Sequence, residues 1–303
     1  MKEIVLQLKD ITKSYGGKVA VDRVNMTIGK GDIYGLIGRN GAGKTTLARI
    51  ITSLTFADSG EIALFGETTA AGLQEARKRL GCVIEAPALY PNLTAYQNLE
   101  YYQRLKGIPD RDIITETLAV VELLDTGKKF KNFSLGMKQR LGIALALLNN
   151  PDFIILDEPI NGLDPTGIME MRKIIKRLNE QYHITILISS HILAELSLVA
   201  TRYGIIDQGK MVHELTHEEL AEQCQKSLAL LVDDPAKATT ILETVLQTEK
   251  FKVINDQEIR LYDYLDNPAE VNYQLVMGGV RVSSISEVGV GLEDYFISTI
   301  DGR

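Results

Sequence analysis

The chain has 303 residues, 45% of them hydrophobic and 24% charged, with a formal net charge of −7. This length and balance suit one large or two modest globular domains that fold without an outside staple. The acidic charge argues against a nucleic-acid partner, which needs a concentrated basic surface. Cys82 and Cys224 stand far apart in sequence and outside any ligand-like spacing, which excludes a disulfide framework and suits a reducing cytosol. The N-terminus soon meets Lys9 and Asp10 and does not read as a signal peptide. The longest apolar stretch, residues 141–148, is far short of the ~20 residues that a membrane-spanning helix needs.

In chain order, residues 3–37 hold three strand-like runs separated by Gly/Asp/Lys turns, and residues 60–65 add a fourth. Together they predict an antiparallel sheet flanking the segment that begins at residue 38. That segment reads Gly38-Arg39-Asn40-Gly41-Ala42-Gly43-Lys44-Thr45, a complete G-x-x-x-x-G-K-[ST] phosphate-binding loop. A chain wrapping a triphosphate must turn its backbone N–H groups inward, and glycine tolerates those dihedrals and that close approach. The apolar run 33–37 before the loop predicts a buried strand, and residues 45–51 continue as a helix, the order that puts phosphate at a helix N-terminus. The nucleotide contacts expected here are Gly38, Asn40, Gly41, Ala42, Gly43, Lys44, Thr45 and Thr46, with Lys44 as the cation and Thr45 as a hydroxyl ligand for Mg²⁺.

Further apolar runs at 80–84, 153–156 and 184–188 alternate with helical patterns, as in a parallel α/β sheet with the nucleotide at the C-terminal strand ends. Residues 95–149 read as an inserted helical subdomain opening on a capping box from Thr94 to Gln97. The run at 153 ends in Asp157-Glu158. Two adjacent acids at that place can divide the work, Asp157 holding Mg²⁺ and Glu158 acting as general base on an attacking water. Arg172, Lys173, Lys176 and Arg177 cluster at helical spacing and read as a solvated helix face.

Asp207-Gln208-Gly209-Lys210 predicts a hairpin turn. The next motif, His213-Glu214-Leu215-Thr216-His217, matches the zinc-peptidase pattern H-E-x-x-H, which demands both imidazoles on one continuous helix. A capping box at Thr216-His217-Glu218-Glu219 starts the helix after His213 instead, so no zinc is expected. From residue 227 the runs read strand, helix, strand, strand, helix, strand, with a last helix from Gly291, an order like a small split βαβ sandwich. These patterns divide the chain into residues 1–215 and an accessory α+β domain at 227–303.

Other segments complete a set. Phe133-Ser134-Leu135-Gly136-Met137-Lys138-Gln139-Arg140 precedes the acids, and Asn161-Gly162-Leu163-Asp164 and Ser189-Ser190-His191 follow them. With Tyr15, the phosphate loop and the glutamine-loop equivalent at Glu85, the ordered set resembles the ATPase subunit of an ATP-binding cassette (ABC) transporter over roughly residues 1–213. The resemblance implies an α/β P-loop NTPase core with a parallel sheet, a flanking antiparallel β-subdomain and an inserted helical subdomain, here followed by the small α+β C-terminal domain. It also implies a subunit that hydrolyses ATP with Mg²⁺, dimerises head to tail on ATP, and powers a separate integral membrane permease from the cytoplasmic face.

By the same resemblance Tyr15 stacks on adenine, Ser134 and Gly136 contact the ATP held by the partner copy, and Asp164 of the D-loop borders the nucleotide. His191 contacts the γ-phosphate and steadies the attacking water. Three residues depart from the family pattern: Glu85 replaces the usual glutamine ligand of Mg²⁺, and Leu135 and Met137 replace the usual glycine and glutamine of the signature sequence. Glu85, the stretch after it and the tail around residues 291–296 are similar to subunits of bacitracin-type and lantibiotic-immunity exporters, which implies efflux of a peptide antibiotic. In that case segment 85–105, with Tyr90, Tyr96, Tyr101 and Tyr102, receives a helix of the permease. The alternative is a nucleotide-dependent sensing or regulatory module with low ATPase activity.

Overall fold

Two long strands, β1 (Ile4–Tyr15) and β2 (Lys18–Gly29), form an antiparallel hairpin. Its turn, Gly16-Gly17, needs left-handed backbone at both positions, with φ of 54° and 83°. β3 (Ile33–Ile37) follows, then the phosphate loop and α1 (Lys44–Ile51). β4 (Ser59–Leu64) returns to pair with β1, giving a three-stranded antiparallel sheet in the order β2-β1-β4. β3 does not join that sheet, contrary to the sequence expectation that grouped it there. Every residue of β3 is buried, and a strand apolar on both faces belongs inside a helix-covered parallel sheet.

After α2 (Ala70–Ala76) the chain builds that second sheet from β5 (Leu80–Val83), β6 (Phe153–Asp157), β7 (Thr185–Ser190), β8 (Arg202–Asp207) and β9 (Lys210–Thr216). The order is β5-β6-β7-β3-β8-β9, parallel except for β9. β8 and β9 are joined by Gln208-Gly209, both with positive φ, as a type I′ hairpin requires. The hairpin also braces the phosphate loop, since Gly209 N–H donates to Ala42 O at 3.0 Å.

Between β5 and β6 lie α3 (Ala95–Lys106), α4 (Ile113–Val120) and α5 (Leu135–Leu147), which pack on one another and bury Leu99, Leu118 and Leu141. α3 opens on the expected capping box. Gln97 N–H donates to Thr94 Oγ1 at 3.2 Å, and Thr94 N–H donates to Gln97 Oε1 at 3.0 Å. Between β6 and β7 runs α6 (Pro165–Glu180), capped by Asp164, which accepts from Gly167 N–H at 2.9 Å. The short α7 (Leu193–Leu196) follows β7.

This computed structural model describes residues 2–85, 89–110, 112–124, 126–224, 226–289 and 292–301. Ala86, Pro87 and Ala88 of the expected docking segment, and Gly291 at the expected start of the last helix, lie outside them. The chain divides into two units, Met1–His217 and Glu218–Arg303. Cys82 and Cys224 are free thiols, and among the described residues no helix is long and apolar enough to cross a membrane.

The second unit follows α8 (His217–Cys224) with β10 (Ser227–Val232), α9 (Pro235–Thr244), β11 (Phe251–Val253), β12 (Glu258–Leu261), α10 (Pro268–Met277), β13 (Val282–Val288) and α11 (Leu292–Asp301). Its sheet is antiparallel throughout, in the order β11-β12-β10-β13, the ferredoxin-like arrangement of a split βαβ. Alternation along β10 turns Leu228, Leu230 and Val232 inward against Ala238, Ile241 and Leu242 of α9 and Val271 and Leu275 of α10. Leu261 is 0% exposed in this core. Leu261→Ala should therefore cost about 2–5 kcal/mol of this unit's stability, read as a lower denaturation midpoint in urea; an unchanged midpoint would contradict this packing.

Candidate functional site

Three neighbouring parallel strands end on the same side of the sheet, because β7 lies between β6 and β3. The register aligns Asp157 with Ser189 and Ile37 with Ser190. Adjacent strands are roughly 4.8 Å apart, so the residues just past these ends meet: Gly38 after β3, Glu158 after β6 and His191 after β7.

The phosphate loop takes its shape from glycine. Gly38 N–H donates to Ser190 O at 3.3 Å, and a Cβ at Gly38 would stand 2.4 Å from Ile206 O. Gly43 caps α1 with φ of 112°, and a Cβ there would stand 2.7 Å from Ala20 O. Asn40 and Gly41 are exposed, Ala42 is buried, and Thr46 is half-buried.

Lys44 is only 6% exposed, and its Nζ donates to Gly38 O at 2.7 Å and Arg39 O at 3.3 Å. The same ammonium lies 3.1 Å from Glu158 Oε1. The other oxygen of Glu158, Oε2, meets His191 Nδ1 at 2.9 Å. Beside this chain, Thr45 Oγ1 donates to Asp157 Oδ2 at 2.8 Å, although the two residues are 112 positions apart. Lys44, Thr45, Asp157, Glu158 and His191 therefore form one connected polar cluster at the strand ends.

Other residues singled out in the sequence stand outside that cluster. Glu85, with φ of 60°, is ion-paired with Arg49 of α1 and not with Asp157 or Thr45. Arg49 lies one turn beyond Thr45 on the same helix face, so the departure from glutamine is matched by a local cation that sequence reading missed. Tyr15 is half-exposed at the end of β1, and Lys13 Nζ stands 5.4 Å from its ring centroid. Ser134 caps α5, accepting from Met137 N–H at 3.2 Å. Gly136 faces Leu163 of the Asn161–Asp164 segment, so Ser134, Gly136 and Asp164 group around the starts of α5 and α6.

His213 lies on β9 opposite Ile205, whereas His217 begins α8 with Nδ1 2.9 Å from Tyr203 Oη. The H-E-x-x-H segment is thus a strand followed by a helix start. Sequence reading also gave no role to Ser189, whose hydroxyl meets the Asp157 carboxylate and the Glu158 backbone amide. The available signal was a pair of serines ending a buried strand with an apolar centre.

A glycine-shaped loop at a helix N-terminus, with its lysine and threonine bonded to paired acids from a neighbouring parallel strand, defines a P-loop nucleoside triphosphatase. The family model for the ABC transporter matches residues 21–161. The bacitracin transport ATP-binding protein BcrA of Bacillus licheniformis is 42% identical over 299 residues, 98% of each chain. The lantibiotic transport ATP-binding protein SrtF of Streptococcus pyogenes is 43% identical over 215 residues, 71% of this chain and 92% of that one. Among solved structures, a dimeric post-hydrolysis state of an ATP-binding cassette bound to ADP and Pi superposes with a TM-score of 0.63 at 28% identity. That match covers 70% of this chain and 99% of the other. The chain belongs to the ATP-binding subunits of ABC transporters, and it is an ATPase of that family.

Proposed function

We propose that two copies of this chain close on MgATP and that hydrolysis reopens them, driving a separate membrane permease that exports a peptide antibiotic or similar amphiphile. The observation that carries the catalytic part is the Lys44–Glu158–His191 chain beside the Thr45–Asp157 hydrogen bond. The names of the bacitracin and lantibiotic transport relatives support the choice of cargo.

The residues divide the work by their chemistry. The ammonium of Lys44 is held by two carbonyls and by Glu158. Phosphate oxygens compete with that carboxylate for the ammonium, because both form charge-assisted hydrogen bonds. Their arrival draws Lys44 away and leaves the Glu158 carboxylate able to take a proton from water. His191, held at Oε2 of the same carboxylate, orients that water against the γ-phosphate, whose transfer yields ADP and phosphate. Thr45 and Asp157 offer a hydroxyl and a carboxylate, the oxygen donors a hard divalent cation takes. Bound there, Mg²⁺ would neutralise charge on the phosphate oxygens. Glu85 can add a third oxygen once it leaves Arg49.

Ser134 and Gly136 begin α5, a 13-residue helix whose N-terminal N–H groups suit an anion. These groups receive the γ-phosphate of the ATP held by the partner copy, and Asp164 lies at the same seam. Tyr15, exposed at a strand end, stacks on adenine, worth about 1 kcal/mol. The permease contact falls on segment 89–105. There Tyr90, Tyr96 and Tyr101 are exposed, and the Tyr90 and Tyr101 rings meet edge to face with centroids 4.8 Å apart. Buried Asn98 ties the segment down by accepting from Tyr90 N–H and donating to Thr94 O.

The expected result in size-exclusion chromatography is a dimer when Glu158→Gln is loaded with ATP and Mg²⁺, and a monomer when it is not. A variant that stays monomeric at saturating nucleotide, alone and with its membrane companion, rejects the proposal. Co-purification from membranes should recover one integral membrane protein, whose identity tests the export assignment.

A further inference from the structure

The strand β7 ends in two serines that are buried among isoleucines and leucine, Ser189 at 4% and Ser190 at 0% exposure. A buried hydroxyl costs free energy unless it is hydrogen-bonded, so the partners of each serine show what it does. Ser190 Oγ accepts from Ile192 N–H at 3.0 Å and shapes the turn that presents His191. Ser189 turns to the two acids instead. Its Oγ donates to Asp157 Oδ1 at 2.5 Å and accepts from Glu158 N–H at 3.0 Å.

The two oxygens of Asp157 are therefore held from opposite sides, Oδ2 by Thr45 of α1 and Oδ1 by Ser189 of β7. Thr45 can keep that bond while a lone pair of its hydroxyl oxygen serves a cation. Ser189 has no second duty toward a cation, and its bond to Oδ1 fixes the rotation of the carboxylate that a single anchor at Oδ2 would leave free. The same hydroxyl acts on the neighbouring residue. Glu158 has φ of 50°, a left-handed conformation that a non-glycine residue holds only when its surroundings impose it. Its amide is fastened to both Ser189 O, at 3.2 Å, and Ser189 Oγ. That backbone directs the Glu158 carboxylate to Lys44 and His191.

We propose that Ser189 is a positioning residue, one hydroxyl that locks the metal-holding acid and the general base into a single rigid unit. The inference rests on the assignment of Asp157 and Glu158 made above. It adds that Ser189 sets both the Mg²⁺ requirement and the rate through those acids, without touching ATP itself.

The test uses the full chain and three substitutions: Ser189→Ala, Ser189→Thr and Ser189→Val. Threonine keeps the hydroxyl, and valine has nearly the same shape without it. Calorimetric titration with ATP in EDTA should give the wild-type affinity for every folded variant. The alanine and valine variants should need about 10-fold more Mg²⁺ for half-maximal enhancement of ATP affinity and should lose about 10-fold in turnover, the scale of one hydrogen bond to a charged group. The threonine variant should recover both. Threonine and valine variants that behave alike would show that shape alone matters and would overturn the proposal. So would an alanine variant with the wild-type Mg²⁺ requirement, a comparison that stands even if the valine variant does not fold. Failure of the underlying metal assignment has a different signature: wild-type affinity and turnover would then be indifferent to Mg²⁺.

Discussion

Replacing Glu158 by glutamine should lower steady-state ATP turnover by roughly 100-fold or more, the scale of general-base catalysis, while ATP binding survives. Glutamine keeps nearly the same shape and can still bond to His191, but it cannot take a proton from water. The Glu158 carboxylate lies 3.1 Å from the ammonium of Lys44 and competes for it. Removing its charge makes Lys44 more available to phosphate, so affinity should hold or rise. Single-turnover kinetics with parallel calorimetry separate the two effects. Near-normal turnover with intact binding would remove Glu158 from the role of base. The wild-type rate, measured with and without the permease, also discriminates a transport motor from a sensing module.

For Lys44→Ala the larger effect should fall on binding. The ammonium is the buried cation at the loop, and charge-assisted hydrogen bonds of this kind contribute about 1.5–3 kcal/mol each. Loss of one of them to phosphate weakens ATP affinity by roughly 10- to 150-fold. The substitution also takes one partner from each of three groups: the carbonyls of Gly38 and Arg39 and the carboxylate of Glu158. A parallel thermal melt is needed for that reason, since a lower midpoint reports the lost internal contacts and the calorimetric affinity reports the lost phosphate contact. Unchanged ATP binding would contradict the assignment of the loop.

Much of the first unit is legible in local pattern. The spacing of Gly38, Gly43, Lys44 and Thr45 encodes backbone geometry within eight residues, and the structure shows those glycines where a Cβ would strike Ile206 O or Ala20 O. Gln208-Gly209 and the capping box at Thr94 are equally local, and both appear as expected. The β3 segment shows where this stops. Its five apolar residues mark a buried strand, but periodicity carries no information about which sheet receives it. Glu85 is a second case. Its departure from glutamine is visible in the chain, whereas its ion pair with Arg49, 36 positions away, depends on how α1 lies beside the end of β5.

By itself, then, the order of residues determined that this chain binds a nucleoside triphosphate, where the strands and helices of each unit fall, and which acids stand ready beside the phosphate loop. Those properties come from short-range stereochemistry, in which φ, capping and side-chain alternation act between near neighbours. Only the tertiary structure decided that Lys44 is shared between Glu158 and two carbonyls, that Arg49 occupies Glu85, and that Ser189 joins Asp157 to Glu158. The reason is physical: apart from the Lys44 bonds to Gly38 and Arg39 within its own loop, these contacts span 31 to 114 positions, with Ser189 31 from Glu158 and Lys44 114 from the same residue, and strand order, register and helix placement bring such distant groups within hydrogen-bonding distance.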